Sequence, residues 1–583
     1  MPDHELETTV LIVGAGPAGL TMALTLAQYG VSHHLVERYA GTAHMPRAHI
    51  VNQRTTEIMR HLGIEDDLMR AAVPNELMAN NLYVTTLNRP EVARREVYGR
   101  GADRRPHYSQ ASPCEVVNCP QTVFEPLLVN ALRRTGSDVH FQQEWLDVRN
   151  DGDGYISTVC DLRTGTTHTV RSRFIVGADG GRSRVLEAAG LHLNGQTALF
   201  HAASIWFTAD LSSYLAHRPG VLVFNVHPGP LPPQRLGTLV CHHPFDEYVL
   251  IRYYDPARED LTAMTPDDAR AHIEAFVGEP LDRVEVKGIS GWTVDRQSAV
   301  RYSNSGIFCV GDAVHRHPPS SGLGLNMSIA DSFNLAWKIA LVDQNVAGPG
   351  LLESYDTERR PIDEAGVARA VNSLIESMEL TDALGLADDQ TEEEGWAALA
   401  ELDEASPAGD ARRRALTEAL DVSDLQFNAI GLELGYAYEA GAVIQDEAPD
   451  RRPARQQVLE YLPTTRPGNR VPHARLERDD LPLSSIDLVD GLQFALLVGR
   501  GGGVWREAAE RVSGDLGVEI AVHTIGPGTA IRDPYREWDD RCEVSHSGAV
   551  LVRPDRHVAW RARQAGPDPT ASLLDAIRTI LDR

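Results

Sequence analysis

Lysine is nearly missing from this chain: Lys287 and Lys338 are the only two in 583 residues, so arginine supplies almost all of the 55 basic side chains. That is the habit of a GC-rich coding sequence and carries no chemistry of its own. Positive charge is also in deficit, with 55 Lys+Arg against 82 Asp+Glu and a formal net charge of −27. Such a surface repels polyanions, which excludes a general nucleic-acid or anionic-membrane binder. Cysteine is sparse, six residues widely scattered, which excludes a disulfide scaffold and suits a reducing compartment. Long apolar runs are absent too. The first, Val10–Val13, is too short for a signal-peptide core, and none approaches the roughly 20 residues that span a bilayer. A cytoplasmic protein without membrane contact is expected. Hydrophobic residues at 42% and charged residues at 23% exclude a disordered or collagen-like chain. At about 150 residues per domain, the length suggests about four domains.

What is there begins with Thr9–Val13, a β-branched apolar run that reads as a strand buried on both faces. It ends in Gly14-Ala15-Gly16-Pro17-Ala18-Gly19, a helix follows through Ala27, and a second strand, Ser32–Val36, stops at Glu37. Gly14 permits the tight turn, Gly16 lets a pyrophosphate approach the backbone, and Gly19 lets helix and strand pack closely. The helix N-terminus offers free N–H groups and partial positive charge to phosphate. Glu37 can accept hydrogen bonds from an adenosine ribose, which suits FAD or NAD and argues against a 2′-phosphate. The turn alone does not choose between those two.

Three further segments make the choice. A strand at Ser172–Val176 leads into Gly177-Ala178-Asp179-Gly180-Gly181-Arg182-Ser183. Another runs into Gly311-Asp312-Ala313-Val314-His315 and on through Pro318-Pro319-Ser320-Ser321-Gly322-Leu323-Gly324-Leu325-Asn326 to a helix containing Trp337 and Lys338. Near the start, Pro46-Arg47-Ala48 precedes Asn52-Gln53-Arg54. Together these resemble the FAD-dependent aromatic hydroxylases of the para-hydroxybenzoate and phenol hydroxylase superfamily, densely over about the first 370 residues. Arg47-Ala48-His49-Ile50, the Gly311–Pro319 stretch and Asn334–Lys338 look most like the 2,4-dichlorophenol hydroxylase branch.

The resemblance implies roles for particular residues. Asp312 would bind the ribityl chain of FAD, and Arg47 and Gln121 would lie beside pyrophosphate and ribityl. Asp179 and Gly180 match a motif linked to both FAD and NAD(P)H. Leu325-Asn326-Met327 would open a helix whose N–H groups face the flavin N1–C2=O edge. Pro17, Ala18 and Arg38 join the first turn, and Pro319, Gly322 and Gly324 the loop beneath the isoalloxazine, as expected cofactor contacts. Met327 stands where relatives commonly carry a smaller residue. No second strand-framed GxGxxG exists, which disfavours enzymes with two dinucleotide domains, and no WxWxIP pattern exists, which disfavours flavin halogenases.

The implied chemistry is ring hydroxylation ortho to an existing hydroxyl. NAD(P)H reduces FAD, O₂ adds to give a C4a-hydroperoxyflavin, and one oxygen passes to an electron-rich ring carbon. A phenol, a chlorophenol, or a natural-product phenol or hydroxypyridine would serve as the small aromatic substrate. Ionising the substrate hydroxyl assists the transfer. His49, in a segment where phenol hydroxylase carries an aspartate, is the candidate acceptor. With reference values of about 6.5 for His and about 10 for a phenol, full proton transfer would be uphill by roughly 4.8 kcal/mol. His315 and His317 are less suited to catalysis: a structural hydrogen bond behind the Gly-Asp turn accounts for His315. The bare residues also admit a flavin dithiol oxidoreductase using the Cys114-x₄-Cys119 pair, or a non-catalytic flavin-binding module.

The expected architecture is α/β: a Rossmann-like FAD-binding domain over 1–189 and 291–370, and an antiparallel sheet over 190–290 that residues 76–110 join. A helical connection over 371–455 and a thioredoxin-like C-terminal domain over 456–583 complete it. That tail holds a single cysteine, Cys542, and so lacks a CxxC. Its expected elements are strands at Phe494–Val498 and Val518–Ile525, a helix at Val504–Val512, and a hairpin turning at Pro554-Asp555-Arg556. A homo-oligomer is expected.

Overall fold

Behind the first glycine turn five strands run parallel, in the order Ile307–Cys309, Thr166–Gly177, Glu5–Val13, His33–Glu37, Val139–Phe141. Val10, Leu11 and Ile12 have no exposed surface, as befits a central strand covered on both faces. Helices Pro17–Gln28, Gln121–Arg134 and Gly324–Asp343 pack together on this layer. All three strand ends that carry a glycine motif therefore open on the same edge of the sheet, the usual place for a ligand in such a fold. This structure, a computed structural model, describes residues 5–230, 237–387 and 389–583. Among them no helix is long and apolar enough to cross a membrane.

A second sheet has eight strands, in the order His315–Arg316, Glu285–Ala299, Leu193–Thr208, Glu247–Tyr254, Thr238–His243, Leu222–Asn225, Asn80–Val84, Glu91–Glu96. Side chains alternate across it: Ile205, Phe207, Val223, Leu239, Cys241, Tyr248 and Leu250 pack under helix Pro266–Val277. On the opposite face His242 lies against His49, their ring centroids 5.7 Å apart, and Gly288 lies against Met45. Strand Glu285–Ala299 runs past the boundary expected at residue 290, because every second residue is polar or glycine and its apolar signal is weak. Beyond the sheets lie helices Gly350–Ala383, Glu392–Ala400 and Pro407–Phe427; the first buries Glu358, Arg359 and Asp363 and the last Asp424, while most of their other charges face outward. Glu392, Glu393 and Glu394 fill the first turn of their helix behind a Thr391 capping box, where the helix dipole favours acids.

The last part is a four-stranded sheet, in the order Ile520–Thr524, Phe494–Val498, Ala549–Val552, Val558–Ala562. The first pair is parallel and the others antiparallel. Helices Val504–Leu516 and Pro569–Ile580 pack on one another beside it. Its hairpin turn does not project into solvent. Arg553, Asp555, Arg556 and His557 are each at most 3% exposed, because the turn is inserted into the rest of the protein. Arg54 donates to Asp555 O at 2.8 Å, and Arg556 donates to Glu57 O at 2.9 Å. Arg553 donates twice to Glu358, at 2.7 and 2.8 Å, where Lys338 and Asn334 also converge.

Candidate active site

Four chain segments meet at the edge where the glycine motifs open. Gly14 has φ +102°, and a Cβ there would lie 2.3 Å from Ala178 O, so the first turn and the Ala178-Asp179 turn touch through backbone alone. A Cβ at Gly19 would lie 1.9 Å from Gly14 O. Gly16 differs: its backbone is extended, at φ −74° and ψ −175°, and nothing lies within 4 Å of a Cβ placed on it. Pro17 opens the helix, which has no side-chain cap and no acid in its first turn. Its N–H groups are thus left for a ligand. Ala18 O accepts from Ser332 Oγ at 2.8 Å, tying this helix to Gly324–Asp343.

Glu37 uses one oxygen on Ala15 N (2.8 Å) and the other on Tyr39 N (2.9 Å), so it also braces the turn it was expected to serve. Arg38 donates to Tyr39 Oη at 3.0 Å. Arg47 is exposed. Gln121 opens its helix, donates from its backbone to Ala48 O at 2.9 Å and from Nε2 to Glu125 at 2.6 Å. Asp179 spends its carboxylate on Ser183 Oγ and on the N–H groups of Arg184 and Val185. It therefore shapes the loop, while Gly180, at φ +76°, leaves open space beside it.

Asp312 is exposed, and its carboxylate makes no hydrogen bond among the described residues. The turn that presents it is held from behind: Asp331 accepts from Gly311 N at 3.0 Å, His315 Nε2 at 3.0 Å and Arg359 Nε at 2.8 Å. Burial alone would discharge His315, but Asp363 and Asp331 outweigh it and push the imidazole up to about 9. That cluster is buried and consumed by its own ion pairs, so His315 serves the turn. His317 donates from Nδ1 to Pro318 O at 2.7 Å.

Beyond exposed Pro319, Gly322 (φ +61°) lies against Ile50, its Cβ position 3.3 Å from that side chain. Helix Gly324–Asp343 again starts without a side-chain cap or an acid. Asn326 locks the two sides of the site together, accepting from Asn52 N at 3.0 Å and donating to Ile50 O at 3.0 Å and Gly322 O at 2.7 Å. Buried Leu325 lies in the open first turn. Met327 corrects the expectation: its N–H already donates to Leu323 O at 2.9 Å, because the helix begins at Gly324. The free N–H groups belong to Gly324, Leu325 and Asn326, while the Met327 side chain packs at Gly366.

His49 stands where these segments face the second sheet. Its strand neighbours Ile50–Val51 pair with Val117–Asn118. Asn118 Nδ2 donates to Cys241 O at 2.9 Å, so Asn118 Oδ1 faces His49 Nδ1 at 3.1 Å and accepts from it. The ring is thereby fixed as the Nδ1–H tautomer, with the Nε2 lone pair left as an acceptor. Burial pushes His49 down to about 4 against the opposing Asn118 hydrogen bond, so it is neutral at physiological pH. The gap to a phenol widens to about 6 units, or about 8 kcal/mol. His49 is thus a hydrogen-bond acceptor and not a full base.

Sequence reasoning missed Asn118, which carries no local signal, and the Asp331–Arg359–Asp363 cluster, which reads as ordinary helix charge. Trp206, Phe224, Tyr253 and Trp292 are aromatic side chains of the second sheet. Trp292 Nε1 is spent on Ser204 Oγ and Trp206 Nε1 on Glu247, whereas Phe224 stacks on Tyr83 with ring centroids 5.2 Å apart. Cys114 and Cys119 are 3% and 0% exposed, and burial pushes both thiols up, Cys119 to about 12. A thiol that does not ionise is a poor redox nucleophile. Cys119→Ser will leave NAD(P)H-dependent turnover within about twofold of wild type, whereas a dithiol enzyme would lose it entirely.

Comparison with known proteins agrees with this geometry. Residues 7–370 match a family described as an FAD binding domain, and residues 464–583 one described as aromatic-ring hydroxylase, C-terminal. The chain is 39% identical to 2,4-dichlorophenol 6-monooxygenase of Cupriavidus pinatubonensis, covering 99% of this chain and 97% of that protein. It is also 39% identical to phenol 2-monooxygenase of a Pseudomonas species, covering 98% and 92%. Among solved structures, the flavin-dependent monooxygenase PieE in complex with FAD and substrate superposes with a TM-score of 0.95 at 44% identity, covering 99% of both chains. Aklavinone-11 hydroxylase with FAD and aklavinone gives 0.81 at 30% identity, covering 100% of both. The chain belongs to the FAD-dependent aromatic-ring hydroxylase family.

Proposed function

We propose that this monooxygenase hydroxylates a phenol-type ring ortho to an existing hydroxyl, with FAD in the cleft described and with NAD(P)H and O₂ as cosubstrates. The residues fit the cofactor. Gly16 leaves the room a pyrophosphate needs, two uncapped helix N-termini point their N–H groups into the cleft, and Asp312 offers an unspent carboxylate to ribityl hydroxyls. Gly14, Pro17, Ala18 and Gly19 would shape the pyrophosphate end with Arg47 and Gln121, and Glu37 and Arg38 the adenosine end. Gly180 would line the cleft beside the turn that Asp179 holds. Pro319, Gly322, Gly324, Leu325 and Asn326 would form the wall under the flavin ring. When bound, FAD supplies the electron transfer from NAD(P)H and the O₂ activation that the protein itself cannot perform.

The chain's own part is to hold the ring dry, orient it and polarise its hydroxyl. The observation that carries the phenol reading is the His49–Asn118 pair: a neutral imidazole next to buried Ile50, its acceptor nitrogen without a hydrogen bond among the described residues. An O–H donated there raises the electron density of the ring without a proton leaving. Relatives named for dichlorophenol and phenol monooxygenation support this substrate class. We place the parallel sheet in the Rossmann-like class and the tail in the thioredoxin-like class. The parallel βαβ pair followed by an antiparallel hairpin and a final helix supports the latter.

His49→Ala will retain FAD but lower the product formed per NAD(P)H about tenfold or more, the remainder appearing as hydrogen peroxide. Because His49 is neutral well below pH 6.5, its contribution shows no inflection near that value. Full coupling in His49→Ala at every pH would end the assignment.

A further inference from the structure

Strand Thr238–His243 leaves one polar group unexplained. Leu239 and Cys241 point into the apolar cluster under helix Pro266–Val277. By alternation Val240 points the other way, and at the register shift between Cys241 and His243 the His242 ring lies against His49. Val240 pairs with Leu222, which packs with Phe224 against the cluster that includes Ile50. His242 is 4% exposed, and among the described residues neither ring nitrogen has a hydrogen-bond partner. A buried imidazole with both nitrogens unpaired is costly unless something else satisfies it. Its ring centroid lies 5.7 Å from that of His49, tilted by 50°. The same Asn118 side chain fixes both: its oxygen accepts from His49 Nδ1, and its amide donates to the carbonyl of Cys241, next to His242.

The separation is informative. With ring nitrogens a little over 1 Å from each centroid, facing nitrogens can sit close enough for one oxygen to reach both at ordinary hydrogen-bond lengths of about 2.8 Å. His49 offers a lone pair and His242 a ring N–H. A hydroxyl group needs that combination, since its hydrogen is donated to one partner and its oxygen accepts from the other.

We propose that His242 is a second substrate-binding residue of the hydroxylation site, bracketing the hydroxyl oxygen of the aromatic substrate with His49. His49 Nε2 accepts the O–H, and a ring N–H of His242 donates to the same oxygen. This rests on the phenol reading above and deepens it. Neutral His49 is too weak a base to ionise a phenol alone, and a second neutral donor on the same oxygen draws the hydroxyl toward phenolate without placing a charge in the apolar cleft. The site thereby selects an arene with a free hydroxyl over its methyl ether, which cannot donate to His49.

The test uses the FAD-loaded protein, titrated with 4-nitrophenol, which is coloured as its anion, and with 4-nitroanisole, its methyl ether. Wild type will bind the phenol in its neutral form, with its absorption band shifted to longer wavelength by the two hydrogen bonds. His242→Leu will bind it about tenfold more weakly and lose part of that shift, with 4-nitroanisole binding and flavin content changed less than about twofold. His242→Gln, which keeps an N–H donor, will recover most of the affinity. Unchanged phenol affinity and band position in His242→Leu would overturn the proposal, leaving His242 a water-bound core residue. Equal weakening toward both probes would also overturn it, as lost packing. If wild type binds no 4-nitrophenol, the phenol reading itself fails, and the bracket with it.

Discussion

Replacing Gly16 with leucine will give a protein that folds as well as wild type and purifies without colour. The two halves of that expectation come from separate observations. Gly16 has extended backbone angles that any residue adopts, and no atom of the protein lies within 4 Å of a Cβ placed there. A larger side chain therefore costs the apoprotein little. Its free volume lies in front of the open N–H groups of helix Pro17–Gln28, where phosphate oxygens must come within hydrogen-bond distance of backbone. FAD affinity will fall at least about 100-fold, or about 2.8 kcal/mol. Gly14→Ala supplies the contrast. Its φ of +102° and the 2.3 Å approach to Ala178 O make it a folding defect, visible in the melting temperature as well as the colour. Equal FAD binding by Gly16→Leu and wild type would show that the pyrophosphate lies elsewhere.

Glu358→Ala will destabilise the fold by about 3–5 kcal/mol, the cost of breaking a buried ion pair from one side. Glu358 accepts from Arg553, Lys338, Asn334 and Ala442 N at 2.7 to 2.8 Å, and it is 1% exposed. Removing it strands the Lys338 ammonium in a dry interface, since Arg553 keeps its pair with Asp555. Exchanging Glu358 and Lys338 together for methionine will recover much of the loss, because no uncompensated charge remains. Burial raises the Glu358 carboxyl, but Arg553 and Lys338 outweigh it and hold it down to about 2. A depressed folded value means that the contribution is complete above the unfolded value of about 4.3 and is lost as pH falls from there toward 2. Denaturant melts from pH 7 down to pH 2.5 will therefore show wild type converging on Glu358→Ala in acid. A constant difference between the two across that range would contradict the ion-pair account.

The same network marks the limit of what the sequence discloses. The first turn was legible because its requirements are local: a buried strand, glycines at fixed offsets, a helix start and an acid at the next strand's end. The tail strand Phe494–Val498 was legible because five consecutive apolar residues admit few other uses, and all five are buried. Pro554-Asp555-Arg556 reads only as a hairpin turn, and nothing in the sequence singles out Glu358 or Arg359. Their burial depends on partners from opposite ends of the chain, which no local pattern encodes. His242 was hidden for a related reason. Thr238–His243 has four buried residues in succession and a register shift at its end, so no alternation in the sequence marks the residue that meets His49. Met327 shows a smaller error of the same kind, since one residue's difference in where the helix starts decides whether an N–H is free.

The central claim is that this cleft transfers one atom of O₂ to a phenolic ring. The most direct test is turnover of a phenol and hydroxypyridine panel under ¹⁸O₂ with NAD(P)H, with product masses read against unlabelled controls. The account predicts a yellow protein, pyridine-nucleotide oxidation stimulated by the accepted phenol, and a product heavier by one oxygen that carries the ¹⁸O label at the ortho carbon. Oxygen incorporated from water, or a bound flavin that pyridine nucleotide never reduces with any member of the panel present, would contradict it.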